Sequence, residues 1–349
     1  MAIPPPRRRP YTLDARTPRV SVLVPVRDAA ATVGDALASV LGQTLADLEV
    51  VVVDDGSTDA TPAILAAAAA DPRVRVLSRP ARGIVAALDD GLEACRAPLV
   101  ARMDADDVCL PGRLAAQVDL LDARPDLTAV ACLVRCFPED GLTDGMRAYE
   151  AWLNGLVEPE AIGREMYVES PLPHPAVVIR RAALEAMGGW RDGPFPEDYD
   201  LWLRLDATGA RFAKVPRVLL LWRDGGRRLS RTDPRYSPDA FLACKADHLV
   251  EGLLAGRTAV QGCGAGRDAK AWGRALAARG VRVARWFEVD PRKIGQTVAG
   301  APVLPWPPRP EHRDLPLLAA VGRPEARARI RADLEASGWE EGREWVIVQ

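Results

Sequence analysis

Apolar runs alternate with amphipathic segments over the first hundred residues of the chain. Four short runs are dominated by Val and Leu, which is typical of strands covered on both faces of a sheet. The segments between them place apolar residues at helical spacing, as Val33, Leu37 and Val40 do. The predicted strands are 20–26, 48–53, 74–77 and 99–103, and the predicted helices lie within 27–44, 63–70 and 83–95. This alternation predicts a parallel, right-handed α/β sheet.

Segments 25–28, 54–57 and 104–107 lie at the carboxyl ends of three of these strands. The carboxyl ends of parallel strands meet at one edge of a sheet, and ligands bind beyond that edge, so we expect the three segments to converge. The last segment holds Asp104 and Asp106, followed by a third acid. Carboxylate oxygens are preferred by Mg²⁺ and Mn²⁺, which are usually shared with substrate phosphates. The pattern therefore predicts a metal-diphosphate site, with a solvated acidic turn as the alternative.

The composition is that of a globular protein with a sizeable core. The chain has 349 residues, enough for two domains, of which 48% are hydrophobic and 27% charged. A formal net charge of -2 gives no basic field, so a nucleic-acid partner is not expected. The six cysteines lack the spacing of a zinc site, which favours reduced thiols.

The first 19 residues are rich in Pro and Arg and have no periodicity. They predict a disordered tail that is either simply solvated or in contact with acidic lipid headgroups. No apolar run has the form of a signal peptide or the length of a membrane span. These observations predict a cytoplasmic protein with at most a peripheral contact at the inner face of the membrane.

Beyond residue 111 the pattern loosens. A helix is predicted at 114–121 and a strand at 129–137, and 138–163 is interpreted as a variable insertion near an acceptor. His174, between two prolines, is either a packing residue or a functional contact. A strand near 215–223 leads into a basic loop, which either closes over a diphosphate or is merely solvated. The arginines of this region are Arg223, Arg227, Arg228 and Arg231.

Two stretches of the chain resemble the family 2 glycosyltransferases of the GT-A fold. They are VSVLVPVRDAAATVGDALASVLGQTLADLEVVVVDDGSTDATPAI and RGIVAALDDGLEACRAPLVARMDADD, and the later GPFPEDYDLWLRLDATG resembles the family's E-D motif. The resemblance covers roughly residues 20–230. It implies an α/β nucleotide-diphospho-sugar transferase fold, with a mostly parallel sheet flanked by helices. It also implies transfer from a nucleotide-diphosphate sugar with inversion.

The resemblance assigns roles to individual residues. Asp106 is expected to bind Mg²⁺ or Mn²⁺, and Asp198, preceded by Glu197, is expected to be the catalytic base. Arg27 departs from the family, which often has Tyr or His there, so the donor is left open as a UDP-, GDP- or dTDP-sugar. The expected donor-binding residues are Pro25, Val26, Asp28, Asp55, Arg82 and Asp104.

The same resemblance implies one sugar per encounter, because the Q-x-x-R-W signature of processive synthases is absent. The acceptor is expected to be a glycan or a lipid-linked glycan, in cell-surface polysaccharide or lipopolysaccharide assembly. An inactive transferase-like scaffold is one alternative. A nucleotidyltransferase is another, but it would need a Gly-rich, basic loop after the first strand, where VPVRDAAATVGD stands. An NAD-dependent oxidoreductase would leave the first 230 residues unexplained.

A second α/β pattern begins near residue 257. It reads strand, Gly-rich turn, helix, strand, with Gly262, Gly264 and Gly266 in the turn and Glu288 at the end of the second strand. This outlines a Rossmann-like unit, although Arg267 stands where the fingerprint has its last glycine. The unit either binds a nucleotide or cofactor, or serves in docking or oligomerisation. The expected organisation is a tail 1–19, a GT-A domain 20–233, a helical linker 234–256 and a Rossmann-like α/β domain 257–349.

Overall fold

Two β-sheets, each flanked by helices, organise the chain. A computed structural model describes residues 17–225 and 228–349, so most of the predicted tail lies outside the described residues. The strands of the first sheet are β1 Val20–Val26, β2 Leu48–Asp55, β3 Val74–Arg79, β4 Leu99–Arg102, β5 Val108–Cys109, β6 Leu127–Phe137, β7 Val178–Arg180 and β8 Arg211–Arg223. The helices of this part are α1 Val33–Leu41, α2 Thr61–Ala68, α3 Ile84–Ala94, α4 Arg113–Ala123, α5 Asp144–Gly155, α6 Pro159–Glu165, α7 Arg181–Ala186, α8 Glu197–Asp206 and α9 Leu229–Thr232.

The parallel half of the first sheet confirms the predicted α/β alternation. Its order is β3-β2-β1-β4, and all three pairings are parallel. Every residue of β1 and β2 is buried, because helices cover both faces of these Val-rich strands. Val22 lies beside Val50 on one side and Ala101 on the other, so the three strands end at a common edge.

The other half of the sheet is mixed. β7 pairs antiparallel with β4 and β6, and β8 runs parallel to β6 and antiparallel to β5. The predicted insertion forms a short 3₁₀ turn followed by α5 and α6. Strand β5 directly follows Asp104, Asp106 and Asp107, and its pairing with β8 brings the end of β8 close to these acids.

The second sheet has the order β11-β12-β10-β9-β13-β14. Its pairings are parallel except for the β11–β12 hairpin, which gives it a Rossmann-like form. Helix α10 precedes it and packs on both α8 and α11. Among the described parts of the chain, no helix combines the length and the apolar character that a membrane span requires. The elements are α10 Pro238–Glu251, β9 Ala259–Cys263, α11 Arg267–Ala277, β10 Arg282–Glu288, β11 Thr297–Val298, β12 Ala301–Pro305, β13 Leu317–Ala319, α12 Pro324–Ala336 and β14 Trp345–Ile347.

Candidate active site

Three carboxylates lie together directly after β4. Asp104, Asp106 and Asp107 each bring an oxygen within 4.8 Å of the others. Asp107 is buried, and its Oδ1 accepts a hydrogen bond from the backbone N–H of Arg223 at 2.7 Å. Its Oδ2 has no hydrogen-bond partner within residues 17–225 and 228–349. A buried carboxylate oxygen without a partner is costly, and a hard divalent cation would satisfy it.

Electrostatics support the same interpretation of this acidic cluster. Burial, followed by the charge of Asp104, raises the pKa of Asp106. The same causes raise the pKa of Asp107 well above its ordinary value. Carboxylates that are buried close together repel one another, and a bound cation would relieve this repulsion. The donor set of hard oxygens therefore fits Mg²⁺ or Mn²⁺.

Arg102 is a buried cation below this cluster, and the sequence reasoning missed it. Its residue is 6% exposed, and its guanidinium forms an ion pair with Asp104. Burial opposes its charge, but Asp104, together with Glu197 and Asp107, outweighs burial and raises the pKa of Arg102. The available signal was an arginine at the end of an otherwise apolar strand, two positions before the D-x-D pattern.

Helix α8 begins with two acids that have different surroundings. Glu197 is buried, and its Oε2 accepts a hydrogen bond from the Tyr236 hydroxyl at 2.6 Å. Asp198 is half-buried, and its Oδ1 accepts from the backbone N–H of Tyr199 at 2.8 Å. Burial and then the charge of Glu197 raise the pKa of Asp198 to about 7. A carboxyl group with such a pKa suits proton transfer near neutral pH.

The ends of β1 and β2 form a second group of predicted residues. Pro25 and Val26 are buried at the end of β1, and the register places Val26 beside Asp54. Asp28 has a positive φ of 48°, donates its backbone N–H to Ser57 Oγ at 2.9 Å, and accepts from the Thr58 N–H at 2.7 Å. These bonds join the two loops, as the predicted convergence requires.

Asp55 fixes the loop that precedes α3. Its two carboxylate oxygens accept backbone N–H bonds from Arg82 at 2.7 Å and Gly83 at 2.9 Å. The Arg82 guanidinium is exposed and pairs with Asp90. Arg27 lies 4.0 Å from Asp55, so the residue that departs from the family is at the same place. The structure thus brings Asp28, Asp55 and the Arg82 backbone together, while the Arg82 side chain points to α3.

The structure gives His174 a packing environment. Its ring is buried, and its Nε2 accepts a hydrogen bond from Trp190 Nε1 at 3.2 Å. Burial and then the charge of Arg102 lower the pKa of His174 well below its ordinary value. Of the two alternatives left by the sequence, these contacts favour a neutral packing residue.

Arg223, the last residue of β8, contacts the acidic cluster, and Arg228, which follows this strand, lies near the cluster. Arg223 Nε donates to the Asp106 carbonyl at 2.7 Å, and its guanidinium lies 4.4 Å from the centre of the Phe137 ring. Arg228 stacks over Trp222 at 4.3 Å, and its charge lowers the pKa of Asp106 against the effect of burial. Arg231 pairs instead with Asp224, and Arg227 lies outside the described residues.

Comparisons with known proteins all indicate the same family for this chain. A family model described as glycosyl transferase family 2 matches residues 21–188. The amylovoran biosynthesis glycosyltransferase AmsE of Erwinia amylovora is 31% identical over 197 residues, which are 56% of this chain and 71% of AmsE.

Two solved structures are similar to the chain. The mannosyltransferase PcManGT from Pyrobaculum calidifontis, in complex with GDP-Man and Mn²⁺, is 25% identical with a TM-score of 0.50; the match covers 67% of this chain and 62% of that one. S. aureus TarS 1-349 in complex with UDP-GlcNAc is 17% identical with a TM-score of 0.56, over 74% of this chain and 71% of that one, and supports the fold alone.

Proposed function

This chain belongs to glycosyltransferase family 2 and has the GT-A fold, and we propose that it moves a single sugar from a nucleotide-diphosphate sugar to an acceptor hydroxyl with inversion. One observation carries the proposal. The buried Arg102 pairs with Asp104, and its charge also acts on Asp198. The acidic cluster and the predicted base therefore both lie within the electrostatic reach of one buried guanidinium, which supports assigning them to one site.

The donor is held by three groups of residues in this proposal. Pro25, Val26, Asp28 and Asp55 line the place of the base, with Arg82 at its rim, and Asp104 faces the ribose. Asp106, assisted by the unpartnered oxygen of Asp107, would hold Mg²⁺ or Mn²⁺. A divalent cation there would offset the charge that develops on the leaving nucleoside diphosphate. The Mn²⁺ complex of PcManGT supports a divalent ion.

Asp198 then accepts the proton of the acceptor hydroxyl as that oxygen attacks the anomeric carbon. Its raised pKa keeps it a usable base near neutral pH, and its half-buried position leaves it reachable. A single displacement from the face opposite the leaving group inverts the anomeric centre, so no covalent sugar-enzyme species forms.

The loop after β1 argues against a nucleotidyltransferase. Such an enzyme would direct the backbone N–H groups of this loop at a triphosphate. Here Asp28 N–H donates to Ser57 Oγ at 2.9 Å, Ala29 N–H to Thr61 Oγ1 at 2.8 Å, and Ala30 N–H to a carboxylate oxygen of Asp59 at 3.0 Å. The donors that a triphosphate would need are already used within the protein.

We further propose a glycan or lipid-linked acceptor in polysaccharide assembly, on the cytoplasmic side. AmsE is named for the biosynthesis of a polysaccharide, amylovoran, which supports this setting. All six cysteines are free and buried, which is compatible with a reducing compartment.

The test of the proposed function is a panel of UDP-, GDP- and dTDP-sugars with Mn²⁺ or Mg²⁺. Donor binding is measured by calorimetry, and the product is analysed by NMR for the configuration of the new bond. We expect one donor to bind only with a divalent ion and to give a product of inverted configuration with one added sugar. A product that retains the donor's configuration would refute the single displacement, and no binding by any donor would favour the inactive scaffold.

A further inference from the structure

Two of the three glycines in the turn of the Rossmann-like unit are required by packing. A Cβ at Gly262 would lie 2.1 Å from the Trp286 ring. Gly264 has a φ of +92°, and a Cβ there would lie 2.8 Å from the carbonyl oxygen of Ala320. Neither position needs a ligand to explain its glycine.

Glu288, the acid expected to bind a ribose, is also engaged within the protein. Its carboxylate accepts hydrogen bonds from the backbone N–H groups of Ala265 at 3.1 Å and Val289 at 2.9 Å, and from Lys293 Nζ at 3.0 Å. Of the alternatives left open by the sequence, these contacts favour docking or oligomerisation over nucleotide binding.

A buried ionic cluster joins this unit to the transferase. Glu165, the last residue of α6, is 7% exposed and pairs with two arginines of α12. Its distances are 2.8 Å to Arg331 Nη1 and 3.2 Å to Arg327 Nη1, and Trp152 Nε1 donates to it at 3.2 Å. Buried ion pairs are tolerated only with well-satisfied partners, and removal of one partner leaves an uncompensated charge. This cluster therefore fixes α6 against α12.

Lys245 makes a second bridge between the same two parts. It is 7% exposed, and its Nζ donates to the carbonyl oxygens of Val168 at 2.6 Å and Val348 at 3.3 Å. The Val168 side chain also packs in one apolar cluster with Trp345 and Ile347 of β14. Ionic, hydrogen-bonding and apolar contacts with α12, Lys245 and β14 thus fix residues 165–168.

The same segment also contacts α8, the helix that carries Asp198. Tyr199, the residue after Asp198, is fully buried, and its hydroxyl donates to the Met166 carbonyl at 2.7 Å. Tyr149 donates to the Ser170 carbonyl at 3.4 Å and stacks on Trp152 at 5.7 Å between ring centres. Segment 165–170 therefore lies between the Rossmann-like unit and the start of α8.

We propose that the Rossmann-like unit acts as a positioning domain for the transfer reaction. Through Glu165 and Lys245 it fixes segment 165–170, and this segment sets the position of Asp198 through the hydroxyl of Tyr199. The proposal rests on the proposed function, since it assumes that Asp198 is the base. Glu165, Lys245 and Tyr199 are positioning residues that act through the segment.

The test combines Glu165→Gln, Tyr199→Phe and the double variant. A small misplacement of a reacting group can cost up to about 10²-fold in rate, so we expect each single variant to lower kcat by about ten-fold. Donor affinity with Mn²⁺, measured by calorimetry, should stay within two-fold or so, because the nucleotide-binding residues lie on other elements. The double variant should be no slower than the slower single variant, since both changes interrupt one connection.

The matched control is Glu344→Gln. The side chain of Glu344 pairs with Arg313 and accepts a hydrogen bond from the backbone N–H of Glu340, and both partners belong to the Rossmann-like unit. Its variant should keep the wild-type kcat. All rates are measured well below the Tm of each variant.

Three outcomes would overturn the positioning role. They are a kcat of Glu165→Gln equal to that of Glu344→Gln, a parallel loss of donor affinity, or additive losses in the double variant. If Glu165→Gln fails to fold, Tyr199→Phe removes only a hydroxyl, and an unchanged kcat for it alone overturns the proposal. An Asp198→Asn enzyme with wild-type activity would instead refute the proposed base, so the two failures are distinguishable.

Discussion

Asn in place of Asp198 is the sharpest test of the proposed mechanism. The substitution nearly keeps the shape of the side chain but removes the carboxylate that accepts the proton. Loss of a general base typically costs about 10² to 10⁴ in rate, or about 3 to 5 kcal/mol of barrier. Donor affinity should hardly change, because the proposed donor and metal ligands remain. The assay pairs calorimetric donor binding in Mn²⁺ with initial rates of product formation.

The pH dependence of the transfer rate should reflect the pKa of Asp198. Burial, and next Glu197, raises the pKa of Asp198 from 3.8 to about 7. The carboxylate is the active form, so activity is full above this pKa and falls as pH decreases through it, by about ten-fold per pH unit. Glu197→Gln removes the second cause and should move this acid limb to lower pH. The limb should be absent from the residual activity of Asp198→Asn.

Asp206→Asn is the matched control on the same helix. Burial raises the pKa of Asp206 to about 6, but this residue is at the far end of α8 from Asp198. Its variant should keep both the rate and the acid limb. The mechanism is refuted if Asp198→Asn keeps a rate within a few-fold of wild type, or if its acid limb persists.

Two further predictions concern the donor side. Asp106→Ala removes a proposed metal ligand, so it should weaken Mn²⁺-dependent donor binding together with turnover, and full metal-dependent binding by this variant would remove Asp106 as a ligand. Gly56→Ala should lower the free energy of unfolding by about 1 to 3 kcal/mol in urea denaturation, because φ is +73° and a Cβ would lie 2.7 Å from the Ala81 backbone nitrogen. Gly155→Ala, in a helix with open space around it, should be neutral or stabilising and serves as its control.

The sequence pattern could predict those elements that are determined by neighbouring residues along the chain. Strands β1 and β2 are buried on both faces, and their sequences are accordingly dominated by Val and Leu. The D-x-D acids follow a strand, so their place at the edge of the sheet follows from the predicted parallel direction of the strands. The alternation of strands and helices predicted that direction, whereas the order β3-β2-β1-β4 comes from the structure.

Long-range polar pairs could not be predicted in this way. Glu197 meets Tyr236, 39 positions later, and Glu165 meets Arg331, 166 positions later. Neither pair produces a periodic pattern in the sequence, because a single buried hydrogen bond constrains only the residue at each end of it. His174 shows the same limit, since only its contact with Trp190 distinguishes a packing residue from a functional one.

Burial of charged groups contributes to both tasks of this site in the proposed mechanism, proton acceptance and cation binding. The charge of the buried Arg102 acts on five carboxylates, and it forms an ion pair with one of them, Asp104, in a place that water screens poorly. Burial, followed by the charge of Glu197, raises the pKa of Asp198 to about 7, which suits a base, and the buried Oδ2 of Asp107 has no partner among the described residues, so a cation would satisfy it. A cation bound there would also stabilise the ionised carboxylates, so donor binding with metal should release protons. The carboxylates of this site are Asp104, Asp106, Asp107, Glu197 and Asp198.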